Sequence, residues 1–239
     1  MPIGVIVNSL AVLFGGLLGA LLGKKIPERL RTSLPLVFGA ASMSMGINYI
    51  VKMHTLPAVV LSLIVGTAIG ELIRLEKGIE TVAIKAKGPV EKLFSGSGSN
   101  QSQAEFMEKF VGILILFCAS GTGIFGALKE GMTGDHSVLL TKSILDFFTS
   151  AIFAASLGYL VMTICVPQVV VLLALFFSAA FILPLTNEAM IADFTACGGM
   201  IMLATGLRIS GIKSFAIANM LPALVIVMPI SYLWVTYIS

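Results

Sequence analysis

Residues 138–163 read VLLTKSILDFFTSAIFAASLGYLVMT, a run whose only charges are Lys142 and Asp146. At 1.5 Å per residue such a helix reaches roughly 39 Å, more than the ~30 Å hydrocarbon core of a bilayer. Comparable apolar runs lie at 3–23, 34–51, 57–73, 108–128, 167–186, 189–208 and 214–235. The sequence therefore predicts an all-α, polytopic integral membrane bundle of about eight transmembrane helices.

Composition agrees with that solvent. Hydrophobic residues make up 57% of the 239 positions and charged residues 11%, against roughly 25% charged in soluble domains. The mean hydropathy is +1.03. Eight spans of ~20 residues use ~160 positions, so 1–239 reads as a single transmembrane domain with no room for a sizeable soluble one. It divides into spans one to three in 1–74, a polar segment in 75–107 and spans four to eight in 108–239. The first run lacks a basic n-region and a small-x-small cleavage site, so it reads as a retained span.

Lysine and arginine set the expected orientation, because short cytoplasmic loops collect them. Twelve of the 15 fall on one side of the eight-span map, among them Lys24, Lys25, Arg29, Arg31, Arg74, Lys77 and Arg208. The other side holds only Lys52, Lys129 and Lys142. Both termini are then expected outside, and a seven-span map would scramble the asymmetry. The 75–107 segment begins as a mixed-charge, amphipathic stretch suited to the inner membrane surface. It continues into the Ser95–Gln103 linker, rich in Gly and Ser. The basic residues form no patch, so nucleic acid is not expected as a partner.

Two segments resemble each other. Phe38-Gly39 to Gly46-Ile47 followed by Leu56-Pro-Ala-Val-Val60 matches Gly198-Gly199 to Gly206-Leu207 followed by Leu221-Pro-Ala-Leu-Val225. The copies are spans two and three against seven and eight. An offset of five spans makes them run in opposite directions, the inverted repeat of many secondary transporters.

Helix five places Lys142, Ser143, Asp146, Thr149 and Ser150 on one face. Asp146 falls about 12 Å into the membrane, where an ionisable group costs at least ~2.5 kcal/mol and faces the protein interior or a water-filled path. It is the leading site candidate, with Lys142 setting its charge state; the alternative is an ion pair that only holds helices together. In helix four, Ser120, Gly121, Thr122 and Gly123 lie within a glycine cluster, as do Gly198 and Gly199 in helix seven. Such clusters give either close packing or an unwound turn whose backbone groups coordinate cargo. Asp193 is the second acidic candidate. Asn8 and Asn219 are polar residues inside spans, suited to hydrogen bonds between helices. Gly15, Gly19 and Gly23 in helix one, and Gly66 and Gly70 in helix three, form small-xxx-small faces that point to a homo-oligomer.

No HExxH, P-loop or nucleophile-elbow motif occurs, and both histidines fall in outer loops. No enzyme activity, metal or cofactor is expected. Cys118, Cys165 and Cys197 read as reduced packing residues.

The stretches Phe117–Leu128, Lys142–Phe148 and Ala218–Ala223, with Gly4–Asn8 and Gly70-Glu71, resemble the YqgA/YdfK-like family of bacterial membrane proteins of unknown function. The resemblance covers nearly the whole chain and implies a polytopic inner-membrane protein of transporter type, without naming a substrate. Three readings follow. One is a transporter of a small solute or ion with its path between helices four, five and seven. Another is an oligomeric pore around the same stripe, and the third is a scaffold docking a partner through 75–107. Transport predicts a stripe facing a cavity; a scaffold predicts a stripe packed shut.

Overall fold

A computed structural model describes residues 1–82, 84 and 110–238. Every element among them is helical: α1 Ile3–Leu22, α2 Glu28–Ile50, α3 Leu56–Leu72, α4 Leu75–Val82, α5 110–118, α6 Gly121–Thr133, α7 Ser137–Leu157, α8 Cys165–Ile182, α9 Glu188–Ile209, α10 Ile217–Met220 and α11 Pro222–Tyr237. Large apolar side chains such as Phe14, Phe148, Phe181 and Val225 remain exposed. That is the outward face a bundle presents to lipid. The protein is a polytopic membrane helical bundle.

Among the described residues, five helices are long and apolar enough to cross a membrane, or six if α3 and α4 count as one span bent by 52°. The bend falls at Arg74, which takes a left-handed backbone (φ 52°). Two features account for the distance from the expected eight. The apolar stretch Ser137–Leu185 is one of the five although it folds back on itself. Helix α2 is 23 residues long but carries Glu28, Arg29, Arg31 and several serines and glycines. Of the 75–107 segment, Leu75–Val82 and residue 84 are helical; its remaining positions, with the Ser/Gly linker, lie outside the described residues.

The fold-back corrects a boundary. The turn expected near 164–166 lies instead at Gly158, whose φ of 67° favours glycine. A 3-10 helix then runs over Gly158–Ile164, and Pro167 sits in the first turn of α8, where its missing N–H costs nothing. Two more boundaries move. Helix α2 begins six residues earlier than expected. Helix α6 runs on to Thr133, so Lys129 and Glu130, expected outside the span, are buried.

The helices form two groups. In one, α1 lies parallel to α7, and α5, α6 and α8 close around them. In the other, α2 lies antiparallel to α9, with α3, α10 and α11 alongside. Helices α6 and α9 make the main seam between the groups, where the Phe125 ring fills the notch at Gly198. Lipid tails are as apolar as leucine, so close backbone approach must supply much of the attraction. Gly15 and Gly19 let α1 touch the α7 backbone at Phe147 and Ala151, and Gly66 and Gly70 do the same for α3 against Ala223 and Asn219. Four of the five glycines of those faces thus meet helices of the same chain, while Gly23 has nothing within 4 Å.

Across α2 and α9, Gly39 faces Gly206 and Gly46 faces Gly199. A Cβ at Gly46 would lie 2.5 Å from the Gly199 carbonyl oxygen, and one at Gly199 would lie 2.7 Å from that of Gly46. These four glycines are the equivalent positions of the two similar segments.

Candidate functional site

The α5–α6 span is interrupted at Ala119-Ser120. The Ser120 hydroxyl accepts from the Gly123 N–H at 3.1 Å and starts α6 afresh. Helix α6 runs antiparallel to α7: Gly123 lies against Lys142 and Gly126 against Leu139. That register sets the break level with Asp146, about 13 Å from the start of α7. Helix α8 brings Leu172 to Gly123, which puts Gln168 at the same depth.

Four polar side chains meet there. Lys142 donates to Asp146 Oδ2 as an ion pair. Asn8 Nδ2 of α1 donates to the same oxygen at 2.8 Å. Gln168 Nε2 donates to it at 3.3 Å and to Asn8 Oδ1 at 2.8 Å. Asn8 and Gln168 are 0% exposed, Lys142 4% and Asp146 8%. The Lys142 ammonium also lies 5.8 Å from the centre of the Phe117 ring at the end of α5. All three hydrogen bonds described for Asp146 end on Oδ2, and Gln168 Oε1 is buried without a partner.

Of the residues singled out from sequence, Asp146, Lys142 and Asn8 come into direct contact, and Ser120 and Gly123 border them. Gln168 is the member that sequence reasoning missed. With the turn expected at 164–166 it stood at the membrane edge. The turn at Gly158 raises it roughly 18 Å, seven residues at ~2.0 Å and three at 1.5 Å.

The remaining candidates do other work. Ser143, Thr149 and Ser150 return their hydroxyls to the carbonyls of Leu139, Leu145 and Phe147 on their own helix. Below Asp146, Ser150 is buried and Thr149 half-buried, and each spends its hydroxyl on its own helix. Gly121 faces Ile201 and Ile217, and Thr122 is buried beside it. Helix α9 runs unbroken through Gly198 and Gly199, which receive Phe125 and the α2 backbone. Helix α9 thus contributes packing and no unwound turn.

Asp193 caps α3. Its Oδ1 accepts the backbone N–H groups of His54 at 2.9 Å and Thr55 at 2.7 Å, and its Oδ2 accepts the Ser231 hydroxyl at 2.6 Å. Two more carboxylates act alike from a distance. Glu130 accepts Gly4 N–H at 2.7 Å and Val5 N–H at 3.3 Å at the start of α1. Glu76 accepts Ala218 N–H at 3.1 Å at the start of α10, while Asn219 Oδ1 takes the Glu76 N–H at 2.8 Å. Helices α1, α3 and α10 have no capping side chain of their own. Orphan N–H groups in a membrane must be satisfied from within the protein. Sequence offers no cue for this, because each cap comes from a different helix.

A second cluster lies where α6, α7 and α2 meet. Lys129 pairs with Asp135 and stands 4.4 Å from the Tyr49 ring centre, and the Tyr49 and Ser137 hydroxyls lie 3.0 Å apart. Among the described residues no group of three or more His, Cys, Asp or Glu is placed to hold a metal.

The family model for "Protein of unknown function (DUF554)" matches residues 3–232. The chain is 51% identical over 239 residues to the Escherichia coli (strain K12) "Uncharacterized protein YqgA", covering all of both chains. It is 27% identical over 229 residues to the Bacillus subtilis (strain 168) "Uncharacterized membrane protein YdfK", covering 93% of each. No solved structure matches it.

Proposed function

This chain belongs to the DUF554 family of proteins of unknown function, and we propose that it carries a small solute or ion across the bacterial inner membrane, coupled through Asp146. One observation carries the reading: a buried carboxylate, amide and ammonium cluster whose polar groups are unevenly satisfied, set beside a break in a span. A purely structural network in a membrane is selected to satisfy every buried polar atom, since each orphan costs several kcal/mol. Spare acceptors beside an interrupted helix are the arrangement of a cargo site. Asp146 exchanges a proton or holds a cation, Lys142 balances its charge, and Asn8, Gln168 and the Ser120 turn contact what is carried. The buried cluster is then an occluded state, opened by movement of the interrupted α5–α6 span against α1, α7 and α8. By the charge rule, both termini face outward.

The test is flux into liposomes holding the purified protein and an internal pH-sensitive dye, across a panel of alkali salts, amino acids and organic anions. At least one class is expected to move with a pH change, and Asp146→Asn is expected to stop it while eluting as folded protein. Flux undiminished in that variant would overturn the reading. The closed packing of the stripe favours a second reading, a non-transporting scaffold that docks a cytoplasmic partner through 75–107. It predicts no flux for any solute.

A further inference from the structure

We infer that α5 is a gate on the cytoplasmic side: it swings about Ala119-Ser120 while α6 stays in place, lifting Phe117 off Lys142 and opening the Asp146 cluster to water. The inference deepens the transport reading and rests on it for its use in the cell. As a claim about motion it stands on what holds each half of the interrupted span.

The backbone supplies the hinge. The helical ladder of α5 ends with Ala119 N–H donating to the Ile115 carbonyl at 2.9 Å, and that of α6 opens with Ile124 N–H donating to the Ser120 carbonyl at 3.0 Å. Between them Ser120 takes an extended backbone (φ −70°, ψ 139°), and its hydroxyl caps α6 at the Gly123 N–H. Each half is closed as a helix in its own right. Rotation at Ala119-Ser120 therefore breaks no helical hydrogen bond of either half.

Different forces hold the two halves. Helix α6 is buried from Gly121 to Glu130 apart from the half-buried Ile124. Its far end is tied by polar bonds: Glu130 accepts the first N–H groups of α1, and Lys129 pairs with Asp135 beside the Tyr49 ring. Along its length it is keyed to backbone and ring. A Cβ at Gly131 would lie 2.3 Å from the Phe176 carbonyl oxygen of α8, and Phe125 fills the notch at Gly198 of α9.

Helix α5 is held by apolar contact. Phe110, Ile113, Leu114 and Phe117 pack against apolar side chains of α1, α7 and the Gly158–Ile164 turn. Gly112 meets nothing within 4 Å. Among the described residues, the one polar contact of an α5 side chain is the Lys142 ammonium, 5.8 Å from the centre of the Phe117 ring. In water such packing would anchor the helix. In a bilayer lipid tails replace apolar neighbours at little cost, whereas nothing replaces a lost hydrogen bond. The weak half is thus α5.

The direction of opening follows. Helix α5 packs beside Leu157 at the end of α7, which the charge rule places on the cytoplasmic side. The other way out of the cluster runs along the tied half, α6. Phe117, 0% exposed, lies between Lys142 and the side that α5 uncovers.

The experiment uses the full chain in sealed vesicles of both orientations, a charged membrane-impermeant methanethiosulfonate, and mass spectrometry to locate the modified thiols. Cys118 follows Phe117 and is the native reporter; Cys197, buried in α9, is the reference for a thiol protected by closed packing. Thiols react as thiolates in water, so labelling reads hydration. Cys118 is expected to react from the cytoplasmic side alone, and Cys197 from neither. Leu114→Asn gives the closed gate an amide to bury that the open gate hydrates, and should raise the Cys118 rate about tenfold. Leu114→Ala only loosens the contact; it should raise the rate about threefold and carries the test if Leu114→Asn does not fold. Reaction of Cys118 from outside, or a rate unchanged by these substitutions, would overturn the gate. So would Cys197 reacting alongside it, since the whole bundle would then be loose. Solute flux with Cys118 unreactive from the cytoplasmic side in every variant removes the gate and leaves the transport reading. Sided, substitution-sensitive labelling without flux of any solute does the reverse.

Discussion

The two helix groups each bury an aspartate, and they treat it differently. Asp193, in the α2/α3/α9–α11 group, spends both oxygens on fixed donors: two backbone N–H groups and one hydroxyl, with no cation in contact. Asp146, in the α1/α5–α8 group, crowds three side-chain donors onto one oxygen, one of them an ammonium. A carboxylate held by the backbone cannot exchange partners without unwinding a helix end. One held by side chains can exchange them by rotation. Burial and charge are alike in the two residues, so what separates cap from candidate site is the nature of the donors.

The largest effect should come from attacking the cap. Asp193→Leu strands the N–H groups of His54 and Thr55 and the Ser231 hydroxyl, and should cost about 3–5 kcal/mol. Asp193→Asn keeps an acceptor for the N–H groups and should cost about 1–2 kcal/mol. Thermal unfolding in detergent measures both. If Asp193→Leu unfolds like the wild type but transports nothing, the contrast collapses and Asp193 joins the site.

Next come Lys142 and Asp146. Asp146→Asn leaves a buried ammonium without its counter-charge and should cost about 1–3 kcal/mol. Adding Lys142→Met should restore stability, because both charges leave together. Flux should stay lost in the double variant. Its recovery there would make the pair structural, a counterpart of Asp193.

The glycine seams should respond with similar or smaller changes. Gly46→Ala drives a methyl into the Gly199 carbonyl, which is backbone and cannot rotate away; about 1–3 kcal/mol is expected. Gly198→Ala meets the Phe125 ring instead, so Phe125→Leu should recover part of its loss. A double-variant cycle in unfolding free energy checks this, and strict additivity would mean that the α6–α9 seam is looser than it stands here.

Much of this contrast could be read in the sequence, and its limits have physical causes. Apolar length gave the membrane-spanning helical class, and i, i+4 spacing joined Lys142 to Asp146, because both follow from local sequence. The glycines at 39, 46, 199 and 206 stood out as a similarity between two segments, but that those segments pack on each other needed the structure. Gln168 was lost through one misplaced turn: Pro167 looks like a helix start from a loop, but the chain had already reversed at Gly158. The role of Asp193 was invisible because a cap given to another helix leaves no trace in the capped helix's own sequence. The glycine faces of α1 and α3 announce close contact without saying whose helix fills them.

The smallest expected effect tests the rim of the seam. Asp135 lies in the short loop between α6 and α7 and tethers Lys129, which stands over Tyr49 of the other helix group. Partial burial pulls its carboxyl upward, but the hydrogen bond and charge of Lys129 and the two hydrogen bonds from Ser137 outweigh this and hold it below the usual carboxylate range. A depressed value in the folded protein means stabilisation that is fully present above the unfolded value of about 3.9. It fades as the pH falls below that point toward the folded value. Between pH 7 and 5 this group should contribute no slope. Its side chain is 43% exposed, so water screens the pair and at most a few tenths of a kcal/mol are at stake. Asp135→Asn should thus lower stability slightly at pH 7 and make the limb below pH 4 shallower, read from unfolding temperatures at stepped pH. A steeper acid limb in the variant would mean that Asp135 is strained in the folded protein. The tether between the two groups at this end would then rest on Tyr49 and Ser137 alone.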